Sequence, residues 1–321
     1  MSTAVLRLRQ VMQIAGLPTD LRATRVESAR NEVWLTDDWV IRIASSVSAH
    51  RLTHEALVVS MLPPDVAHPG ITTSGRAPFG EWAVLPRIHG EPLAHLWPDL
   101  NEAQRFGAFL SIGRALQSIH SVDASMLRPP FLEPGSLECS HQLPVSRLVN
   151  VIERLRADHR IDRGMLNAAE MLVRDADGVL GPMPTTLIHG DFHLENVLFG
   201  QGFVRAVVDF EFARAGWPEI DLEVLLRFCD EPQLHVSSND AKRMHRDDFK
   251  PVVTWLREGY PALFEHPRLV ERVNLCSLSY DLRDLVMFPP DRPAKELPPF
   301  HPMNRLARLL DGRGLLQLIE W

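Results

Sequence analysis

Three polar residues in the middle of the chain interrupt apolar runs, and their side chains could take part in phosphate chemistry. Asp191 and Asn196 lie within the stretch 186–199, which begins and ends with short apolar runs, and Asp209 follows a further apolar run. Two carboxylates placed close together away from water are destabilised by a free energy on the order of several kcal/mol. A bound cation and a phosphate would remove that destabilisation. We therefore interpret residues 186–199 as the catalytic loop of a phosphotransferase.

Each of these polar groups suits a separate part of phosphoryl transfer. An attacking hydroxyl group has to be oriented and has to lose its proton, and the Asp191 carboxylate can do both. Phosphates bring Mg²⁺, which prefers oxygen ligands, and Asn196 and Asp209 offer a carbonyl oxygen and a carboxylate. The spacing from Asp191 to Asn196 equals that of the protein-kinase catalytic loop H-R-D-x-x-x-x-N. Asp209-Phe210 likewise stands where a kinase has D-F-G, with Glu211 in place of the glycine.

The composition is that of a globular protein and argues against several classes of partner. The chain has 321 residues, 45% hydrophobic and 23% charged, which is enough for two lobes with their own cores. A net charge of -7 does not favour nucleic-acid binding, and no apolar run is long enough to span a membrane. The N-terminus lacks the apolar core of a signal peptide, and Cys139, Cys229 and Cys276 form no zinc or disulfide pattern. We therefore expect a cytoplasmic protein.

The spacing of apolar residues changes from strand-like to helical along the chain. After a first helix that ends near Gly16, alternation indicates strands at 24–27, 33–36, 39–43 and 81–86. Helical spacing predicts helices at about 50–62, 101–120, 144–159, 162–176, 218–230, 246–258, 268–287 and 301–320. This order predicts an α+β protein with a small β-rich lobe over residues 1–88 and a larger, mostly helical lobe over residues 89–321.

The motif around the polar residues resembles a known family of enzymes. His189-Gly190-Asp191-x-His193-x-x-Asn196, followed by Val207-Val208-Asp209-Phe210, is similar to the signature of the aminoglycoside phosphotransferase family. Segments 85–93, 115–120 and 217–222 also resemble parts of that family. The resemblance implies a bilobal, protein-kinase-like fold. It also implies a kinase for a small molecule, such as an antibiotic, choline or homoserine.

The resemblance also implies roles for individual residues. Asp191 would be the catalytic base, and Asn196 and Asp209 would hold Mg²⁺. The phosphoryl donor would be ATP or GTP. Its base would bind at a hinge between the lobes, along the backbone from Leu85 to Ile88, which includes Arg87.

Arg42 departs from the family pattern, which has a lysine on this strand that contacts the α- and β-phosphates. Arginine offers a planar fork of donors and stays charged, so it can bind two phosphate oxygens. We expect Arg42 to pair with Glu55 and to contact the nucleotide, so both residues belong to the predicted nucleotide site. Arg30 lies in a short polar loop between two predicted strands, where a kinase folds a loop over the phosphates.

Three other interpretations use the same residues. Asp191, Asn196 and Asp209 could cap backbone groups in turns. His189, Asp191 and His193 alternate along the chain and could bind zinc in a metal-dependent hydrolase, which leaves Asn196 and Asp209 unexplained. The missing lysine is compatible with a nucleotide-binding module without catalysis, although such a module needs no base. The kinase spacing and the flanking strands together favour catalysis.

The nature of the acceptor is inferred from charge. Residues 209–240 contain eight acids and two bases, so this segment carries a charge of -6. We expect Glu211, Asp230 and Glu231 to face the cleft and to attract a cationic acceptor, although a solvated helix face would have the same composition. The expected acceptor is a small hydroxylated antibiotic, an aminoglycoside or a basic peptide, which would give antibiotic resistance. A macrolide, choline or homoserine is the alternative, and His193 either faces the acceptor or caps the loop.

Overall fold

The structure of the chain is a computed structural model. It describes residues 2–26, 31–44, 51–128, 145–176 and 178–318. The expectations for Arg30 and Cys139 concern residues outside these ranges. Among the described helices, none has the length and apolar character needed to cross a membrane.

The N-terminal part of the molecule is an antiparallel five-stranded sheet with one helix packed on it. Helix α1 spans Thr3–Ile14, and the strands are β1 (Thr24–Val26), β2 (Asn31–Leu35), β3 (Trp39–Ala44), β4 (Thr73–Ala77) and β5 (Gly80–Pro86). Their order across the sheet is β1-β2-β3-β5-β4. The predicted hairpin of β2 and β3 is confirmed. Strand β4 was not predicted, because its sequence is polar and contains a glycine.

Apolar side chains hold α1 to the sheet. Val11 and Met12 of α1 pack in one cluster with Ile41 of β3 and Trp82 of β5, and all four are buried. Burying such a side chain stabilises a protein by about 1.5–3 kcal/mol. Gly75 in β4 leaves room for the indole, because a Cβ atom there would lie 2.8 Å from Cζ2 of Trp82. The glycine that hid β4 in the sequence is therefore required by the packing of the sheet.

Helix α2, which spans Arg51–Met61, joins the sheet to the catalytic segments. The Thr53 hydroxyl donates a hydrogen bond of 2.6 Å to Glu81 in β5. His54 Nε2 lies 2.6 Å from the backbone oxygen of Ala213, which follows the predicted catalytic loop. The helix is thus fixed at both sides by polar contacts.

The rest of the described chain is mainly helical. Its helices are α3 (Leu93–Leu96), α4 (Glu102–His120), α5 (Val145–Leu155), α6 (Arg163–Asp175), α7 (Glu219–Asp230), α8 (Ser238–Ala241), α9 (Val252–Gly259), α10 (Leu269–Met287), α11 (Pro302–Leu310) and α12 (Leu315–Leu318). Asn101 caps α4 as predicted, in a reciprocal pair of hydrogen bonds with Gln104. Gly113 of α4 and Gly259 of α9 allow these helices to touch, since a Cβ atom on Gly113 would lie 2.8 Å from the Gly259 Cα.

Short strands and 3-10 turns complete the structure between the helices. The strands are β6 (Glu91–Pro92), β7 (Leu187–Ile188), β8 (Val197–Gly200), β9 (Phe203–Val207) and β10 (Arg214–Ala215). Strands β6, β8 and β9 form one small sheet, and β7 and β10 form another. The 3-10 turns are Trp97–Asp99, Leu194–Asn196, Phe210–Phe212, Pro232–Leu234, Arg246–Phe249, Pro261–Phe264 and Ala294–Glu296.

Two of the predicted helices are divided in the structure. The helix predicted at 246–258 is a 3-10 turn followed by α9, and Pro251, which has no N–H to donate, precedes α9. The helix predicted at 301–320 is divided into α11 and α12. Gly312, between them, has a φ of +75°, which does not occur in a right-handed helix. The remaining predicted helices are present with ends that differ by a few residues.

The main core lies between α4, α7, α9 and the catalytic segments. Phe109, Phe192, Phe210, Phe228 and Phe249 are fully buried and belong to one apolar cluster. Two of these rings come from the segments that carry the predicted catalytic residues. The polar groups beside them are therefore held by side chains that are anchored in the core.

Candidate active site

The predicted catalytic loop is held in place by one buried carboxylate at the start of α7. Asp221 is fully buried, and its two oxygens accept hydrogen bonds of 2.7 Å from the backbone N–H groups of His189 and Gly190. His120, at the end of α4, lies 3.0 Å from the same carboxylate. Burial would raise the pKa of Asp221, but His120, His189 and the Gly190 N–H hold it below its ordinary value. The ionised carboxylate therefore fixes the start of the loop.

Gly190 is needed for the turn of this loop. Its φ is +81°, in the left-handed region that glycine adopts without strain. A Cβ atom there would overlap the backbone oxygen of Phe212 and the guanidinium of Arg214. The glycine of the His-Gly-Asp motif is thus required by the backbone conformation and packing of the loop, independently of the chemistry of the site.

Asp191 projects from the loop with its carboxylate partly accessible. The side chain is 35% exposed. Its backbone makes contacts within the loop: the N–H donates to His189 Nδ1 at 3.3 Å, and the backbone oxygen accepts from Asn196 Nδ2 at 2.9 Å. The carboxylate lies 3.7 Å from Nε2 of His193. The backbone of Asp191 therefore helps to keep the loop in shape while its carboxylate stays partly accessible.

His193 lies between this carboxylate and an aromatic ring. Its imidazole is parallel to the Phe228 ring, with centroids 6.1 Å apart. Burial would lower the pKa of His193, but the Asp191 carboxylate raises it above its ordinary value. The structure thus places His193 beside the predicted base.

Asn196 and Asp209 are brought together by the pairing of their strands. The Val208 N–H donates to the backbone oxygen of Asn196 at 2.9 Å, so Asp209 follows directly after the residue bonded to Asn196. Asp209 has a φ of +69° and a ψ of +58°, a left-handed conformation that costs a non-glycine residue on the order of 1–3 kcal/mol. The Phe210 N–H donates to Glu55 at 3.2 Å and the Phe210 ring is fully buried, which holds this conformation.

Arg42 connects the N-terminal sheet to these residues through three carboxylates. Its Nη1 lies 2.7 and 2.8 Å from the two oxygens of Glu55, so the expected ion pair is present. Its Nη2 lies 2.8 Å from Asp209 and 3.7 Å from Glu211. Burial opposes the charge of Arg42, but the three carboxylates raise its pKa. Burial also raises the pKa of Glu55, to about 7.

The oxygen atoms of Asn196 and Asp209 suit Mg²⁺. The Asn196 Nδ2 is used by the Asp191 backbone oxygen, which leaves the side-chain carbonyl oxygen of Asn196 for a ligand. The Asp209 carboxylate, 38% exposed, already binds a cation, the Arg42 guanidinium. A carbonyl oxygen and a carboxylate form the hard donor set that Mg²⁺ prefers. These two residues would hold the ion. The chemical role of the ion would be to bind the phosphates of the nucleotide.

Arg87 of the predicted hinge contacts the turn between β2 and β3. The Arg87 N–H donates to the backbone oxygen of Asp38 at 2.7 Å, and its guanidinium donates to the backbone oxygen of Thr36 at 2.7 Å. Both groups therefore secure this turn. The expected contact of the backbone from Leu85 to Ile88, Arg87 included, with a nucleotide base stays a prediction.

The acids expected to face the acceptor are paired with arginines. Glu211 is 2% exposed and lies 3.6 Å from Arg51, in addition to Arg42, so it is buried on the nucleotide side. Asp230 is 4% exposed and lies 2.9 Å from both Arg246 and Arg308. These two acids are therefore compensated by arginines from elsewhere in the chain, which does not support the expectation that they attract a cationic acceptor. Glu231 lies 3.9 Å from Arg308, and its expected role stays a prediction.

The metal-hydrolase interpretation is not supported by the positions of the histidines. His189 is fully buried, its Nε2 contacts the Val208 backbone oxygen at 3.0 Å, and its Nδ1 accepts the Asp191 N–H. Both ring nitrogens are thus used within the loop. Within the described ranges, no three His, Cys, Asp or Glu side chains are grouped as metal ligands.

Three residues that contact the site were not recognised in the sequence. Arg51 lies over the Phe212 ring at 4.7 Å and beside Glu211, and Asn31 Nδ2 donates to Glu211 at 3.3 Å. His120 was included only as the end of a helix, yet it contacts Asp221. These residues lie far from the loop along the chain, and no local pattern marks them.

Several buried histidines make stability depend on pH. Burial lowers the pKa of His54, His189 and His68, to about 4 for His68. A histidine in the unfolded chain binds a proton near pH 6.5, whereas these histidines stay neutral there in the folded protein. Their contribution to the free energy of unfolding is therefore present above pH 6.5 and is lost as the pH falls toward 4. Stability should therefore fall from pH 7 to pH 4.5. His68→Gln should reduce the fall by about 2 kcal/mol.

Urea unfolding at the two pH values measures this effect. His159→Gln, which changes an exposed histidine, serves as the control and should leave the fall unchanged. An equal fall in the wild-type protein and in His68→Gln would contradict the assignment.

Together, the sheet-and-helix fold and the loop geometry define a class of protein, the kinase-like phosphotransferases that act on small molecules. A profile of the phosphotransferase enzyme family matches residues 22–249. Because this match covers more than half of the chain, the chain belongs to that family. The predicted α+β, kinase-like fold is confirmed.

Solved structures share this fold. The GDP complex of aminoglycoside 2'-phosphotransferase-IIIa is 16% identical, with a TM-score of 0.65 over 97% of this chain and 98% of that one. ADP-bound aminoglycoside phosphotransferase APH(2'')-Ib is 13% identical, with a TM-score of 0.61 over 99% and 100%. Macrolide 2'-phosphotransferase MphH from Brachybacterium faecium is 20% identical, with a TM-score of 0.55 over 91% and 100%. At these identities the similarity establishes the fold. No curated protein matches the chain.

Proposed function

We propose that this enzyme transfers the γ-phosphoryl group of ATP or GTP directly to a hydroxyl group of a small molecule. The observation that carries the proposal is the placement of Asp191. Its carboxylate is accessible on a loop fixed by Asp221, and the loop's Asn196 lies beside Asp209. A base, two oxygen ligands and a buried cation at one place are what in-line transfer to a hydroxyl requires.

In this mechanism Asp191 acts on the acceptor. Its carboxylate accepts a hydrogen bond from the attacking hydroxyl, directs the oxygen at the γ-phosphorus and takes the proton as the new bond forms. The bond from the γ-phosphorus to the bridging oxygen breaks, and the nucleoside diphosphate leaves. Mg²⁺ held by Asn196 and Asp209 would neutralise charge on the phosphate oxygens. His193 lies 3.7 Å from Asp191 and would border the acceptor.

The nucleotide is proposed to bind between the sheet and the catalytic segments. Arg42 would contact phosphate oxygens through Nη2, while Glu55 keeps Nη1 in place. Glu55 is buried and acts on the nucleotide only through Arg42. The backbone from Leu85 to Ile88 would bind the base of the nucleotide.

The proposed acceptor is a small hydroxylated molecule. The pairing of Glu211 and Asp230 with arginines weakens the charge argument for a cationic antibiotic. Kanamycin, gentamicin and streptomycin are bound in solved structures of the same fold, and another such structure is of a macrolide phosphotransferase. These compounds are therefore the first antibiotics to test, and resistance would follow if one of them is phosphorylated.

A transfer assay tests the proposed function. The purified protein is incubated with Mg-ATP or Mg-GTP and single candidate acceptors, and mass spectrometry detects the addition of one phosphoryl group. Calorimetry measures binding of the Mg-nucleotide separately. The proposal fails if neither Mg-nucleotide binds, or if no hydroxyl compound gains a phosphoryl group.

Asp209→Ala is expected to weaken Mg-nucleotide binding at least about tenfold, because a metal ligand is lost. Binding of the nucleotide without Mg²⁺ should change much less, since Arg42 keeps its pair with Glu55. Calorimetry with and without Mg²⁺ measures both values. Asp99→Ala, which removes a surface carboxylate paired with Arg243, is the control. Equal Mg-nucleotide affinity in Asp209→Ala and the wild-type protein would refute the metal role.

A further inference from the structure

His68 lies in the loop after α2 and has no part in the proposed mechanism. The side chain is partly buried, and its Nδ1 accepts a hydrogen bond of 2.8 Å from the N–H of Gly70. Gly70 has a φ of +76°, in the left-handed region that glycine adopts without strain. Because Nδ1 is an acceptor here, the bond assigns the proton of the ring to Nε2 and makes the imidazole neutral.

The same local turn occurs at two other histidines of the chain, each followed by a proline. The Arg268 N–H donates to Nδ1 of His266 at 3.1 Å, and the Met303 N–H donates to Nδ1 of His301 at 3.2 Å. His266 is exposed. The turn therefore requires an acceptor at the histidine position, and it does not by itself explain where the ring of His68 lies.

The ring of His68 packs on Phe210. The ring centroids are 5.4 Å apart and the planes are inclined by 70°, which is a T-shaped pair. The Nε2 atom of His68 is buried and has no hydrogen-bond partner among the described residues. A buried donor without a partner is destabilising, whereas a T-shaped aromatic pair is stabilising. The contact with Phe210 is thus the favourable interaction of this part of the ring.

Phe210 is held by contacts from three separate segments. Its ring centroid is 4.5 Å from that of His189 in the catalytic loop, in addition to its contact with His68. Its N–H donates to Glu55 of α2 at 3.2 Å, and its side chain is fully buried. The position of Phe210 therefore depends on both imidazoles as well as on α2.

The loop that carries His68 is bonded to the strand that leads to Asp209. The Val207 N–H donates to the backbone oxygen of Ala67 at 2.8 Å, so the residue before His68 is fixed two residues before Asp209. Val66 is buried in the same apolar cluster as Phe210. The loop cannot shift without disturbing this bond and this cluster, and it therefore forms a firm support for the ring of His68.

The backbone of Asp209 depends on such a support. Its left-handed conformation is unfavourable for a residue with a side chain and persists only where the surroundings fix it. Phe210 is the next residue, so a shift of Phe210 changes the backbone of Asp209 directly. A less firmly held ring would let the Asp209 carboxylate leave its place beside Asn196.

We propose that His68 is a positioning residue of the metal site. Its ring fixes Phe210, and Phe210 in turn keeps Asp209 in the conformation from which its carboxylate would bind Mg²⁺. The inference rests on the proposed function, because it concerns the Mg²⁺ that accompanies the nucleotide. His68 touches neither the ion nor the nucleotide in this arrangement, so its effect on nucleotide binding should depend on the presence of Mg²⁺.

Two variants separate the ring of His68 from its turn. His68→Asn removes the ring but keeps an acceptor for the Gly70 N–H, since asparagine closes the same kind of turn. It should raise the Kd of the Mg-nucleotide about fivefold and leave the Kd of the metal-free nucleotide within about twofold. His68→Phe keeps a ring against Phe210 and loses the acceptor, and both of its Kd values should stay within about twofold of wild type. Calorimetry with ATP, or with GTP if only GTP binds, measures all of them with and without Mg²⁺.

His266→Asn is the matched control, because it makes the same substitution in the same turn at an exposed site. Both of its Kd values should equal those of the wild-type protein. An unchanged Mg-nucleotide Kd in His68→Asn would overturn the inference. An equal rise in His68→Asn and His68→Phe would assign the effect to the turn. An equal rise with and without Mg²⁺ would show that the metal site is not involved, and either result also overturns the inference.

A double-mutant cycle tests whether His68 acts through Phe210. Phe210→Leu should itself raise the Mg-nucleotide Kd about fivefold or more, because the ring that His68 holds is gone. Adding His68→Asn to this variant should then raise the Kd by less than about twofold further. A full, independent fivefold rise would overturn the proposed route. Circular dichroism and urea unfolding establish that each variant is folded. If His68→Asn does not fold, Phe210→Leu decides alone, since wild-type Mg-nucleotide affinity in that variant contradicts the inference.

The failure of this inference is distinguishable from that of the proposed function. If Mg²⁺ strengthens nucleotide binding in the wild-type protein and His68→Asn leaves that strengthening intact, the proposed function stands and the inference falls. If the wild-type protein does not bind the Mg-nucleotide at all, the proposed function fails and the inference falls with it.

Discussion

Asp191→Asn is expected to lower kcat by a factor of about 10²–10⁴ while Mg-nucleotide affinity stays within about twofold of the wild-type value. The amide has nearly the shape of the carboxylate but cannot take a proton from the acceptor hydroxyl. The loop should keep its conformation, because the backbone contacts of this residue to His189 and Asn196 are retained. The measurements are steady-state kinetics with an identified acceptor and calorimetry with Mg-nucleotide.

Glu195→Gln provides the control for this variant. Glu195 belongs to the same loop, but its carboxylate lies 3.2 Å from His95 rather than beside Asp191. We expect its kcat to remain close to that of the wild-type enzyme. If Asp191→Asn also keeps its kcat, Asp191 is not the base, and the loop would act by binding alone.

Asp221→Asn is expected to have the second large effect, on stability as well as on activity. An amide can accept hydrogen bonds through its oxygen alone, so the two N–H groups of His189 and Gly190 cannot both be satisfied. It also leaves His120 without a charged partner. We expect a loss of about 3 kcal/mol or more in the free energy of unfolding, measured with urea.

Activity separates this effect from a general loss of stability. At a temperature where Asp221→Asn is still folded, kcat should fall, because the start of the catalytic loop is no longer fixed, and nucleotide affinity should fall less. Asp123→Asn, which alters an exposed carboxylate bonded to Ser125, should change neither stability nor kcat appreciably. Wild-type stability in Asp221→Asn would show that the loop is held by other contacts.

The grouping of Asp191 and Asn196 was predictable from sequence because its signal is local. The two residues are close along the chain, and the apolar runs beside them enter the core. The pairing of Arg42 with Glu55 was predicted across a gap of thirteen residues, with the fold as a guide. The spacing of functional residues within one motif can be recognised without knowing the tertiary structure.

The electrostatics around Asp230 were not predictable because the partners are distant. Asp230 is neutralised by Arg308, which is 78 residues away in the chain, and by Arg246. A charge count over neighbouring residues cannot include such pairs. For the same reason the sequence did not indicate that the Arg87 N–H donates to Asp38 across the adjacent strands.

The division of the chain at the end of the family profile has a consequence for sequence change. The profile ends at residue 249, whereas α10, α11 and α12 lie beyond it. The predicted base and the proposed metal ligands all lie within the profile. Changes confined to these C-terminal helices therefore leave the residues of the predicted reaction centre unaltered.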